Sequence, residues 1–64
     1  MKTNEQLCRD FVSLARTMHR LSLRCEKDAV EYPKHAERLL EEARYKRKAS
    51  WRYLEFARWE RESA

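Results

Sequence analysis

Residues 7–25, LCRDFVSLARTMHRLSLRC, decide the architecture. Apolar side chains recur at Leu7, Phe11, Leu14, Met18, Leu21 and Cys25, in alternating steps of four and three. That spacing lays a heptad seam along one face of a helix. Arg9, Arg16, Arg20, Arg24 and Lys27 gather on the opposite face, as expected when one side of a helix packs and the other meets water. Upstream, Thr3-Asn4-Glu5-Gln6 forms a capping box, Ser/Thr followed three residues later by Glu/Gln. The spacing therefore predicts a first helix over about 4–31.

The only strong punctuation is Tyr32-Pro33. Proline disfavours a helical conformation in the residue before it and suits the first position of a new helix. Glu37, Glu41 and Glu42 follow in the early turns, and Arg58 and Arg61 come near the end, both arrangements favoured by the helix dipole. A second helix is expected over about 33–61, with the turn near 32–33. Ala36, Ala43, Ser50 and Ala57 recur every seventh position on it, beside Leu39, Leu40, Tyr53 and Leu54. Large against small is the expected packing: the bulky seam of the first helix on this small-residue stripe. Phe11 should then lie near Leu54, Leu14 near Trp51 or Ser50, and Cys25 near Leu40. Arg47 falls on the packing face near the level of Met18. Either its stem packs while its guanidinium reaches water, or it makes a buried polar contact that fixes register in a dimer.

The fold expected is all-α: one antiparallel two-helix hairpin over 1–64, dimerising into a four-helix bundle. Two helices leave a flank of each uncovered, and a chain this short gains little net stability from its own burial. In architecture alone it resembles the small plasmid-encoded RNA-binding hairpins that dimerise into four-helix bundles; no motif extends the likeness to a family.

Composition narrows the function. The 64 residues contain 15 Lys and Arg, 11 Asp and Glu, one Pro and no Gly. Without Gly there is no phosphate-cradling loop or dinucleotide fingerprint. Apolar residues never run more than two together, which excludes a span of the ~20 needed to cross a bilayer. The first residues show no apolar stretch of signal-peptide type. Cys8 and Cys25 would be ~25 Å apart on one helix, too far for a disulfide, and free thiols fit a reducing, cytoplasmic setting.

Candidate chemistry is sparse. Cys8 and His19 lie ~16 Å apart along one helix and form no dyad. Cys25 and His35 face each other only across the turn, with nothing to suggest a pocket. No close-spaced Cys or His pair suggests zinc. Glu37, Glu41 and Glu42 read as a solvated face. No enzyme activity, metal or cofactor is expected.

The final third is the informative part. Residues 44–64 carry a net charge of +4, against +2 for residues 1–30 and −2 for 31–43, and hold five of the seven aromatics. Tyr45, Ala49, Arg52, Phe56 and Trp59 fall on a stripe of the second helix away from the first. Exposed aromatics beside Arg suit protein recognition, with Tyr45, Arg52, Phe56 and Trp59 as helix-in-groove anchors. The leading expectation is a small non-enzymatic adaptor or inhibitor that docks this face on a larger protein. Chains of this size often serve phages and other mobile elements in that way. The alternative is a small basic helical dimer binding RNA or DNA. It would use Arg16, Arg20, Arg24, Lys46, Arg47, Lys48 and Arg52 on phosphates, with Trp51 or Trp59 stacking on unpaired bases.

Overall fold

The computed structural model describes residues 1–63. Two long helices, α1 (Asn4–Glu31) and α2 (Ala36–Ser63), are joined at Tyr32 through a 3-10 turn at Pro33–His35. At its start α1 has both arms of the capping box. The Gln6 N–H donates to Thr3 Oγ1 at 3.2 Å, and the Thr3 N–H donates to Gln6 Oε1 at 2.9 Å. Its end is set by Tyr32, whose φ of −122° and ψ of 75° leave the helical region ahead of Pro33. The His35 N–H then donates to the Tyr32 carbonyl at 2.9 Å, closing the tight turn from which α2 begins. Residues 33–35 are thus a separate turn rather than the first turn of the second helix, because the proline restarts the chain with a tighter bond pattern.

The helices run antiparallel side by side, with Cα extents of 47 × 14 × 13 Å. What lies between them differs from the large-against-small expectation. The buried residues are Ala15, Ser22, Cys25 and Ala29 of α1 and Ala43, Ser50 and Ala57 of α2. Cys8, Ala15, Ser22 and Ala29 form a second heptad column on α1, one position along from the leucines. That column, not Leu7, Leu14 and Leu21, faces the small stripe of α2. Leu7 and Leu21 are half-buried beside the seam and Leu14 is exposed. Phe11 and Met18 border the seam, and Cys25 lies within it.

Small against small lets the backbones come close. The Ser50 hydroxyl donates to the carbonyl of Ala15 at 2.9 Å, a reach across the seam that bulkier neighbours would prevent. Ser22, with no exposed surface, donates to the His19 carbonyl at 2.6 Å. The polar members of the seam are therefore hydrogen-bonded, as burial requires. This rotation of α1 also changes the neighbours. Phe11 lies against Tyr53 and Phe56, with ring centroids 6.3 and 5.5 Å away, instead of beside Leu54. Ala15 rather than Leu14 meets Ser50. Across from Cys25 stands Glu42, with Sγ 4.0 Å from Oε2, instead of Leu40.

Arg47 crosses the seam to pair with Glu26, each side chain about two-fifths exposed. It is neither free in water nor deeply buried; it is an interhelical ion pair within one chain. Exposed pairs contribute at most about 1 kcal/mol. A double-mutant cycle of Arg47→Ala and Glu26→Ala, followed by denaturant unfolding, should give a coupling of about 0.5–1 kcal/mol that fades with added salt. A coupling near zero at low salt would reduce Arg47 to an apolar stem.

Candidate functional site

The groups able to do covalent chemistry stay apart. Both cysteines are unpaired, with Cys25 buried in the seam and Cys8 half-buried. His35 lies at the turn beside Asp28, Tyr32 and Arg38, whereas His19 lies near mid-helix across from Trp51. Among the described residues no group of three His, Cys, Asp or Glu side chains is placed to hold a metal ion. No helix among them is long and apolar enough to cross a membrane.

What the hairpin presents instead is two unlike flanks, one on each side of the small-residue seam. The Phe11 flank carries Leu7, Phe11, Leu14, Met18 and Leu21 from α1 and Ala49, Tyr53 and Phe56 from α2. Phe11, Tyr53 and Phe56 form a three-ring cluster. Phe56 still exposes 48% of its surface and Leu14 41%. On α1 the charge nearest this flank is Asp10, one turn from both Leu7 and Leu14, and it pairs with Lys2. On α2 the charge of Lys46 is countered by Glu42 at 3.5 Å.

The Trp51 flank is basic. Trp51, 67% exposed, stands over a groove of ≈ 490 Å³ lined on the facing helix by Arg16, His19, Arg20 and Leu23. Along α2 the same indole is bordered by Arg44, Arg47 and Lys48. Neither lining contains a carboxylate. Among the described residues Arg16, Arg20, Arg44 and Lys48 make no ion pair, whereas Arg47 is engaged by Glu26.

These flanks divide both residue sets picked out in the sequence. Of the aromatic stripe, Tyr45, Arg52 and Trp59 lie seven apart on the outer surface of α2, with Tyr45 75% and Trp59 64% exposed. Phe56 leaves them and packs on Phe11. Of the basic set, Arg16, Arg20, Arg47 and Lys48 come together around Trp51, but Arg24, Lys46 and Arg52 line neither groove. Arg44 joins the cluster, a residue of the basic final third that the sequence did not single out. Its signal was the seven-residue step from Arg44 to Trp51, which puts a cation one heptad before an aromatic on the same face.

No protein family model, curated protein or solved structure matches the chain.

Proposed function

We propose that the chain is a non-enzymatic protein–protein interaction module that works as a symmetric dimer. Two copies pack through their Phe11 flanks into a four-helix bundle. The outer face of α2, with Tyr45, Arg52 and Trp59, is then left to dock a larger protein as an adaptor or inhibitor. The observation that carries this reading is the inverted placement of side chains: the seam holds Ala, Ser and Cys, while the leucines and aromatics lie outside it. The areas agree. A compact monomer of this mass exposes about 4,400 Å², whereas the hairpin exposes 5686 Å². The excess of about 1,300 Å² per chain is more than the roughly 800 Å² that each partner buries in a standard interface. A two-fold axis suits a flank that is mainly apolar and whose charges, Lys46 with Glu42 and Asp10 with Lys2, are paired within the chain. A self-complementary surface must tolerate each residue near its own copy.

Light scattering over a concentration series tests the dimer. The expected mass is twice the 7.9 kDa of one chain. A single-chain mass at high concentration overturns the bundle. The docking face is tested by affinity capture with the native and Trp59→Ala chains in parallel, with nuclease present. A protein partner held by the first and lost by the second supports the reading; equal retention removes the outer face from it.

A further inference from the structure

We infer that the Trp51 flank is a binding site for single-stranded nucleic acid, separate from the face assigned to self-association. Three features of the flank point to that class of ligand. The indole of Trp51 is two-thirds exposed in a groove between two helices, so a flat ring can stack on it without moving the fold. Cations stand on both sides of it: Arg16 and Arg20 on α1, Arg44 and Lys48 on α2. All four make no ion pair among the described residues, so their charge is available to phosphates. A groove that tracks a phosphate chain with cations and offers an aromatic platform to the bases is the general means of holding an unpaired strand.

A protein ligand fits less well. Leu23 and Leu54, each about half exposed, give the groove apolar surface beside the indole. Among the described residues, however, four cations without an ion pair surround it and no carboxylate lines it, so a peptide seated there would have to bring several negative charges. Duplex nucleic acid is disfavoured because its bases are already stacked and cannot reach Trp51. The helices also offer no short recognition element for a groove of B-form DNA.

The test uses the full chain carrying Trp59→Phe, which leaves Trp51 as the sole indole reporter. A single-stranded oligothymidylate of about 16 nucleotides, the upper end of common site sizes, is titrated at low salt against a duplex of equal length. Quenching of Trp51 with tighter binding to the single strand is expected. Four neutralised phosphates give a log–log salt slope of about −3. Trp51→Leu, read by anisotropy of labelled oligonucleotide, should weaken binding about tenfold or more, the effect of losing one stacked base. Arg44→Gln with Lys48→Gln should flatten the salt slope. Because Trp51 is exposed, circular dichroism of Trp51→Leu is expected to match the parent. No binding at low salt, equal affinity for the duplex, or unchanged affinity in Trp51→Leu would each overturn the site.

Discussion

Ala43→Leu should lower the melting temperature of the hairpin by roughly 10 °C, although it adds apolar volume to an apolar site. Ala43 is almost fully buried. In antiparallel register, one heptad along from the Ser50–Ala15 contact, it falls level with Ser22, which has no exposed surface. A leucine there has no cavity to enter and must push the helices apart. Overpacking of this kind typically costs 1–3 kcal/mol, and 1 kcal/mol shifts the midpoint by about 4–8 °C in a domain this small. Separation would also break the Ser50 bond to Ala15 and leave a buried hydroxyl without a partner. Ser50→Ala is the matched control: it keeps the close approach and loses one hydrogen bond, worth about 1 kcal/mol. Melts followed by circular dichroism at one fixed protein concentration check both. If Ala43→Leu melts within a few degrees of the parent, the seam is looser than its burial indicates.

Leu14→Glu is the second change with a large expected effect: it should convert the proposed dimer to single chains while leaving each hairpin helical. Leu14 is already 41% exposed in the isolated hairpin, so a carboxylate there costs the fold little. In a bundle closed through the Phe11 flank the same carboxylate is buried beside leucines and rings. An unpaired buried charge costs several kcal/mol, enough to raise the dimer dissociation constant by about a thousandfold. Sedimentation equilibrium reads the mass directly. Leu54→Glu, on the Trp51 flank and exposed to a similar degree, should leave the mass at that of the dimer. The reverse outcome, dissociation by Leu54→Glu and none by Leu14→Glu, would place self-association on the basic flank and deny it to nucleic acid.

Both variants turn on a feature only half legible in the sequence. The steps of four and three from Leu7 to Cys25 mark a helix, and so do the capping box and the proline break. The small heptad on α2 was legible too. Its counterpart on α1, the column Cys8, Ala15, Ser22 and Ala29, was overshadowed by the larger residues next to it. Hydrophobic periodicity weights side chains by size, so it draws the eye to Leu7, Leu14 and Leu21. Close approach rewards the opposite property. Where both helices carry a stripe of Ala and Ser, bringing those stripes together gains backbone proximity and dispersion along the whole length, and the leucines move to the edge.

The same shift of α1 regroups the candidate surfaces. The inward face of α2 is the small stripe expected, but turning α1 onto its own small column sets Phe11 on one flank, where Phe56 packs against it with the rings 5.5 Å apart. The shift likewise brings Arg16 and Arg20 of one helix to the side where Trp51, Arg44 and Lys48 of the other lie.

By itself, then, the sequence determined what depends on neighbours along the chain. Propensity, capping and the single proline act over a few residues, and they specify two long helices with an abrupt reversal at Tyr32-Pro33. Which face of each helix turns inward is a property of the pair. A rotation of less than one position, under about 100°, leaves every local preference satisfied and exchanges most of the residues at the contact, with Cys25 staying in it. Only the tertiary structure decided it, because the closeness of two helices depends on the side chains both bring to the seam. Here those are alanines and serines, and the large side chains are left on the flanks.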